Sequence, residues 1–317
     1  MNERTSMDFV VMHPLDADDA AIAGAMRDMT RASKGVSVGI EARGQFDAFM
    51  ERVTPRDDVT FETDTIGGIT GLWVRPAVWN PEEAIIHLHG GWFAFGSATA
   101  YRHLVGQVVA RAGARAFVPD YRLAPEHSFP AAVDDVFACY QDLARREIQR
   151  IALTGDSAGG NLALGLASRV VDKAAPSDKI PVAVAVMSPV TDLTLSGQSY
   201  DTRAIADPLF THAQIGKLVR SYLATAVATH PLASPLHGQY VGMPPTRIHV
   251  GDHEVLLDDS LRFVERAVSA GVDARVDVWL GMPHGFQGSV GRLKAAALSL
   301  DAIGSFLAER LNVRSGP

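Results

Sequence analysis

The chain has 317 residues, of which 47% are hydrophobic, so it can bury a large core in one or two domains. Its net charge is −7 and no cluster of Lys and Arg stands out, which argues against nucleic acid as a partner. No secretory signal and no apolar run of transmembrane length is present, and the single cysteine, Cys139, fits a reducing compartment, so we expect a cytoplasmic protein without a membrane partner.

The N-terminal residues 16–52 read as two helices with polar faces and little β-character. Residues 59–66 and 69–76 then read as strands flanking Gly67-Gly68, a hairpin signal. Further strands are predicted over 83–89, 114–120, 150–155, 182–188, 246–251 and 274–280, and helices over 131–146, 158–173, 258–271 and 291–311. This alternation predicts an α/β fold with a mostly parallel, eight-stranded sheet and helices on both faces.

Residues of about 190–230 interrupt the alternation between two strands, and they are too many for a simple connection. We expect this segment and residues 1–52 to form a helical cap over the sheet. The alternative is that both merely decorate the core. Because no linker, repeat or low-complexity run divides the chain, we predict a single domain over residues 1–317.

Residues 155–161 read GDSAGGN, in which Gly155, Ser157 and Gly159 form the pattern G-x-S-x-G. Ser157 lies where a predicted strand meets a predicted helix, which is the setting of a nucleophile elbow. Small residues are needed on either side, because Cβ atoms there would collide with the strand and the helix. The turn also leaves the amide of Ala158 at a helix N-terminus, free to bind a developing oxyanion. The alternative is a glycine-rich helix start with a capping serine.

Residues 89–92, HGGW, follow the apolar strand upstream of the serine. Paired glycines let backbone amides approach a ligand, and a loop at this place supplies oxyanion donors in α/β-hydrolases. The predicted oxyanion hole consists of Gly90, Gly91, Trp92 and Ala158. His87 and His89 alternate on the strand, but no nearby carboxylate or cysteine completes a ligand set, so we expect no metal.

The base and the acid of a triad should follow the serine in the order acid, then histidine. His284 fits the base best, because it lies just after the predicted strand 274–280, at the carboxyl edge of the sheet. The acid should follow the strand 246–251, where Glu254 and Asp258 both qualify. Glu254 is nearer the strand end, whereas Asp258 also suits the N-cap of the next helix.

The motifs HGGW, YRLAPEHSFPAAVDD, GDSAGGN, ASP and MPHGF, in this order, resemble the bacterial members of the hormone-sensitive lipase family. The resemblance covers about residues 60–310, and the family consists of α/β-hydrolase carboxylesterases. It implies Ser157 as the nucleophile, His284 as the base, the oxyanion hole given above and an N-terminal cap.

Two departures from the family pattern affect the predicted site. Many members have D-P-L-x-D where this chain has residues 254–258, EVLLD, and this favours Glu254 over Asp258 as the triad acid. Many members also carry a third glycine where this chain has Trp92. The backbone N–H survives that change, but we expect the indole to reshape the pocket.

Together the motifs predict a serine carboxylesterase that hydrolyses short- to medium-chain esters of small molecules without a metal or organic cofactor. The predicted substrate pocket is walled by Phe93, Phe95, Phe210 and Phe286. A lactone or amide hydrolase with the same triad is an alternative, and a homodimer is possible.

Plant gibberellin receptors share the fold without hydrolysing their ligand, but their resemblance implies loss of the histidine that is present here as His284. Asp156 and Glu126 are expected to tie neighbouring loops together.

Overall fold

The computed structural model describes residues 8–30, 34–36, 39–175 and 178–312. Within them, one sheet contains nine strands: Val10–His13 (β1), Val59–Ile66 (β2), Ile69–Pro76 (β3), Glu83–Leu88 (β4), Ala116–Pro119 (β5), Arg150–Asp156 (β6), Ala183–Met187 (β7), Thr246–Gly251 (β8) and Ala274–Trp279 (β9). The strand order is β1-β9-β8-β7-β6-β4-β5-β3-β2. Only the β2–β3 and β3–β5 pairs are antiparallel. The fold class predicted from the sequence is therefore confirmed.

The described α-helices are Ala17–Thr30 (α1), Arg43–Met50 (α2), Ala98–Ala112 (α3), Ala131–Arg145 (α4), Ala158–Lys173 (α5), Ser199–Thr202 (α6), His212–Leu223 (α7), Leu257–Ser269 (α8) and Lys294–Leu311 (α9). Two buried cores lie on opposite faces of the sheet, one with α4, α5 and α8 and the other with α3 and α9. Consecutive strand residues alternate between them, so that Ile85 joins one core and Ile86 the other. This explains why every residue of β4 is buried. None of the helices in the described ranges is long and apolar enough to cross a membrane.

The prediction of eight strands is wrong by one, because β1 adds a strand beside β9. His13 of this strand stacks on Trp279, with ring centroids 3.9 Å apart, and its Nε2 lies 2.8 Å from a carboxylate oxygen of Asp277. A four-residue strand is too short to show a period of two, and its partners are more than 260 positions away in the sequence. The pairing therefore depends on tertiary contacts that the local sequence does not reveal.

The helix α3 was also absent from the sequence-based prediction, although the sequence does contain its boundary signals. Ser97 is its N-cap and accepts a hydrogen bond from the amide of Ala100. Gly113 ends it in the left-handed conformation, with φ of 64°. The helix packs in the core that α9 also lines and completes the crossover between the parallel strands β4 and β5.

Candidate active site

The candidate catalytic residues and their neighbour Ser188 lie at one edge of the sheet, beyond the carboxyl ends of five neighbouring parallel strands. Following β4, β6, β7, β8 and β9 in turn are residues 89–92, Ser157, Ser188, Glu254 and His284. Open α/β sheets bind ligands at this edge, because loops from several strands converge there.

Ser157 occupies a strained turn between β6 and α5. Its φ is 54° and its ψ is −119°, an uncommon backbone conformation for a residue with a side chain. A Cβ at Gly155 would lie 2.5 Å from the carbonyl oxygen of Gly159, and one at Gly159 would lie 1.9 Å from that of Leu88. Both glycines of G-x-S-x-G are therefore required by close backbone approach, as a nucleophile elbow demands.

His284 is held by the carboxylate of Glu254. Its Nδ1 lies 2.7 Å from Oε2, and Glu254 is fully buried. The other carboxylate oxygen, Oε1, accepts hydrogen bonds from the Ser188 hydroxyl and the Gly251 amide, each at 2.7 Å. Three donors therefore fix the orientation of this carboxylate and stabilise its charge.

The environment of His284 favours its protonated form. Burial acts to lower the pKa of the imidazole, but the neighbouring Glu254 carboxylate, by charge and by hydrogen bonding, raises it, as do Asp207 and Asp156. The net result is a pKa above the ordinary value of 6.5. An imidazole in this setting can accept a proton and remain stable as an imidazolium.

Asp258, the alternative acid in the sequence analysis, does not hydrogen-bond to His284. Its carboxylate accepts a hydrogen bond from the amide of Ser199 at 2.9 Å, and the Ser199 hydroxyl lies 3.0 Å from the Asp258 amide. These reciprocal bonds attach the short helix α6 to the start of α8. Of the two carboxylates, the structure brings only Glu254 to the histidine.

The loop after β4 presents two backbone amides without an acceptor. Within the described residues, neither the amide of Gly91 nor that of Trp92 donates a hydrogen bond. Gly90 differs, because its amide donates to Asp156 at 2.9 Å. The prediction that Gly90 is an oxyanion donor is therefore corrected, because its N–H already donates to Asp156 and so holds the loop.

Asp156 connects the two parts of the site, the loop after β4 and the serine turn. One carboxylate oxygen accepts the Gly90 amide, and the other accepts the Tyr101 hydroxyl at 3.1 Å. Burial raises the pKa of this carboxyl to about 6. The expected tie between neighbouring loops is therefore made by Asp156.

Aromatic side chains lie around this edge of the sheet, and the predicted pocket residues Phe210 and Phe93 make separate ring contacts there. The ring of Phe210 makes edge contacts with Trp92 and His284, at centroid distances of 5.5 and 5.2 Å. Phe93 stacks on Tyr222 at 3.7 Å, in the same core as Trp92.

Two of the four predicted pocket residues face other neighbours. Phe95 contacts Phe46 of α2, with centroids 5.7 Å apart. Phe286 is fully buried in the opposite core, 5.9 Å from Trp279, so its assignment to the pocket is wrong. It begins the 3₁₀ turn Phe286–Ser289 that leads to α9.

The two segments predicted to form a cap contact the site loops. Arg43 of α2 donates to the carbonyls of Ala94 and Ala124, at 2.7 and 2.9 Å, and forms a two-pronged pair with Glu126. Lys34 donates to the carbonyls of Ala204 and Asp207. Residues 1–7, 31–33 and 37–38 of the predicted cap lie outside the described residues.

The first helix, α1, is fixed to the core. Buried Asp19 accepts the amides of Lys294 and Ala295 at 2.8 Å each and so caps the N-terminus of α9.

Two residues beside the site were not singled out in the sequence analysis. Ser188 follows β7 and donates to Glu254. Asp207 accepts the amides of Leu209 and Phe210 with one oxygen and that of Val255 with the other. Asp207 therefore ties the 190–230 segment to the loop of Glu254, and the local sequence DPLF, a turn signal, is its only marker.

The two alternating histidines of the β4 region are both buried and hydrogen-bonded within the protein. His87 Nδ1 lies 2.8 Å from the Thr154 hydroxyl, and His89 Nδ1 lies 2.8 Å from the Gly90 carbonyl. Burial lowers the pKa of His87 to about 3 and that of His89 to about 4, so both are neutral. Among the described residues, no group of three or more His, Cys, Asp or Glu is arranged to hold a metal ion.

Comparison with known proteins identifies the family. Residues 85–288 match a family model described as alpha/beta hydrolase fold. An acetyl-hydrolase of Streptomyces hygroscopicus is 36% identical over 263 residues, 82% of this chain and 85% of its own. An esterase of Acinetobacter venetianus is 36% identical over 225 residues, 70% of this chain and 73% of its own.

Solved structures agree with these sequence relatives. The crystal structure of an esterase from the bacterial hormone-sensitive lipase family superposes with a TM-score of 0.86 at 31% identity, covering 95% of this chain and all of the other. An esterase/lipase from an uncultured bacterium gives 0.86 at 33% identity, with 94% and 99% covered. The chain belongs to the bacterial hormone-sensitive lipase family, a family of carboxylic ester hydrolases with the α/β-hydrolase fold.

Proposed function

We propose that this protein is a serine carboxylesterase that hydrolyses short- to medium-chain acyl esters of small molecules through an acyl-enzyme intermediate. The observation that carries the proposal is the buried Glu254–His284 pair, 2.7 Å apart, at the same sheet edge as the strained turn of Ser157. The relatives described as an esterase and an acetyl-hydrolase support ester hydrolysis as the reaction class.

In the proposed mechanism, the Ser157 hydroxyl attacks the ester carbonyl carbon while its proton passes to His284. Glu254 keeps the proton of the imidazole on Nδ1 before the attack and stabilises the imidazolium after it. Collapse of the tetrahedral intermediate breaks the ester bond, and His284 returns a proton to the leaving alcohol. Water then attacks the acyl-enzyme with the same histidine as base, which releases the carboxylic acid and regenerates the serine.

The oxyanion of each tetrahedral intermediate is bound by the amides of Gly91, Trp92 and Ala158. Two of these belong to the loop that Asp156 holds through Gly90, and the third begins α5. An amide at a helix N-terminus also carries the positive end of the helix dipole. The donors are held in place before the reaction, so little reorganisation is needed as the negative charge develops.

The cap is proposed to consist of residues 1–52 and about 190–230. Two observations support this cap. The ring of Phe210 contacts His284, and Arg43 donates hydrogen bonds to the loop carbonyls of Ala94 and Ala124. A ring in contact with the histidine limits the length of chain that can approach, which favours small esters over emulsified triglycerides.

The proposal is tested by hydrolysis of p-nitrophenyl esters from acetate to palmitate, with Ser157→Ala as the matched variant. We expect short chains to react fastest and the substitution to abolish turnover. Fast turnover of palmitate would contradict the assignment of chain length, and an unchanged rate in Ser157→Ala would contradict the nucleophile. Matched ester and amide substrates separate esterase from amidase activity.

A further inference from the structure

Two buried hydrogen-bond donors lack an acceptor where the 190–230 segment meets the oxyanion loop. Trp92 is 5% exposed and Tyr222 is 1% exposed. Within the described part of the chain, neither the indole Nε1 of Trp92 nor the hydroxyl of Tyr222 has a hydrogen-bond partner. Such groups are uncommon in folded proteins, because a buried donor without an acceptor loses its hydration without compensation.

Other tryptophans of the chain show the usual arrangement. The indole of Trp73 donates to Asp64 at 2.9 Å, and that of Trp279 donates to His249 at 3.2 Å. Among the buried tryptophans of the described residues, a missing acceptor is therefore a feature of Trp92 and not of the residue type.

Trp92 also adopts a backbone conformation that disfavours a large side chain. Its φ is 52°, in the left-handed region, where a bulky residue is strained and a glycine is not. The chain therefore holds a donor-bearing ring at the oxyanion loop despite the backbone strain. Strained residues of this kind cluster where a ligand is bound.

Ring contacts relate both donors to the reacting group. The Trp92 ring touches Phe210, and Phe210 touches His284, at centroid distances of 5.5 and 5.2 Å. Tyr222 stacks on Phe93, the residue after Trp92, at 3.7 Å. Phe210 thus links the Trp92 ring to His284, and the Tyr222 ring packs on the residue that follows Trp92.

We propose that Trp92, assisted by Tyr222, selects esters that carry a second hydrogen-bond acceptor, such as an ether, hydroxyl or carbonyl oxygen, close to the scissile group. An indole N–H is a donor only, so the complementary substrate atom must be an acceptor. The inference rests on the proposed esterase function and narrows its substrate class from alkyl esters to oxygen-bearing ones.

The kinetic test uses two isosteric ester pairs in which an ether oxygen replaces one methylene. On the acyl side, p-nitrophenyl methoxyacetate is compared with p-nitrophenyl butyrate, and on the alcohol side 2-methoxyethyl acetate is compared with butyl acetate. The preference is kcat/KM for the ether-containing ester divided by kcat/KM for its alkyl partner. Dividing the preference of the wild type by that of a variant cancels the intrinsic difference in reactivity between the two esters. Loss of one neutral hydrogen bond should lower the preference about three- to tenfold in at least one pair.

Trp92→Phe is the decisive variant, because it keeps an aromatic ring and the backbone amide and removes the N–H group. It also removes part of the ring volume, a change that both esters of an isosteric pair experience alike. Tyr222→Phe removes only the hydroxyl. Tyr140→Phe is the matched control, since its hydroxyl on α4 donates to the carbonyl of Lys179, away from the site. If neither Trp92→Phe nor Tyr222→Phe changes either ratio relative to Tyr140→Phe, the inference is overturned.

A binding measurement decides the same question without turnover. In ¹⁵N-labelled Ser157→Ala protein, the indole N–H signal of Trp92, assigned with Trp92→Phe, should move downfield on titration with 2-methoxyethyl acetate and much less with butyl acetate. The Trp73 signal, already hydrogen-bonded, serves as the internal reference. Equal responses to the two esters contradict the inference even if the protein is an esterase. Absence of turnover on every ester contradicts the proposed function, and the Trp92 signal still tests the donor.

Discussion

Replacement of Glu254 by glutamine should remove most of the catalytic rate while leaving the fold intact. The carboxylate has two unlike ends: Oε1 accepts two donors, from Ser188 and Gly251, and Oε2 accepts one, from His284. A glutamine has only one accepting oxygen, and the two fixed donors will hold that oxygen on their side. The amide NH₂ is then directed at Nδ1 of the histidine.

That arrangement forces the wrong tautomer. Facing an NH₂ group, Nδ1 of His284 must act as acceptor, so the proton moves to Nε2 and the imidazole cannot take the proton of Ser157. The same change in serine proteases lowers kcat about 10⁴-fold, which corresponds to about 5.5 kcal/mol in the activation free energy. We expect a loss of this size in kcat for p-nitrophenyl butyrate, with the melting temperature close to that of the wild type.

Asp258→Asn is the matched control, because it neutralises the other candidate acid, four residues further on at the start of α8. Its remaining oxygen can still accept the Ser199 amide, so we expect kcat within a few-fold of the wild type and at most a modest loss of stability. If Asp258→Asn reduced kcat as severely as Glu254→Gln, or if Glu254→Gln left kcat nearly unchanged, the assignment of Glu254 as the triad acid would be refuted.

Three further predictions follow from the same geometry. Because the pKa of His284 is raised above 6.5 and catalysis needs the neutral imidazole, kcat/KM should fall toward acid pH with an apparent pKa above 6.5 in a pH–rate profile. Gly159→Ala should give little folded protein, since the new Cβ would lie 1.9 Å from the Leu88 carbonyl oxygen, whereas Gly165→Ala in the same helix, with its nearest neighbour at 3.6 Å, should match or exceed the wild-type melting temperature. Ser188→Ala should lower kcat about tenfold with KM little changed, because it removes a hydrogen bond to a charged, buried carboxylate; a rise in KM alone would show that Ser188 acts on binding instead.

The sequence was most informative where function depends on local backbone geometry. The pattern G-x-S-x-G predicted a strand-to-helix turn at Ser157, and the structure places it between β6 and α5 with both glycines against backbone oxygens. The position of His284 just after a strand predicted the sheet edge at which it lies. Such signals are local, because the chain must provide small residues and strand ends at fixed spacing.

The sequence was least informative where a residue's neighbours come from distant segments. Phe286 follows the predicted base by only two positions, yet its ring lies in the opposite core against Trp279. Gly90 matched an oxyanion loop, but its amide is taken by Asp156, a residue of another strand. Neither outcome follows from local spacing, because each depends on which way a loop turns after its strand ends.

The proposed triad acid shows how the two kinds of information combine. Spacing alone admitted both Glu254 and Asp258, and the resemblance to the family favoured the first. In the structure, the Asp258 carboxylate accepts a hydrogen bond from the Ser199 amide of the inserted 190–230 segment. The longer side chain of Glu254 turns back to Gly251, at the end of its own strand, and still reaches His284. The inserted segment thus affects which carboxylate reaches the histidine. Its helix α6 binds the carboxylate of Asp258, and its Asp207 accepts the amide of Val255, the residue after Glu254. The segment that brings Phe210 into contact with His284 is therefore also the segment that orders the loop of the proposed acid, Glu254.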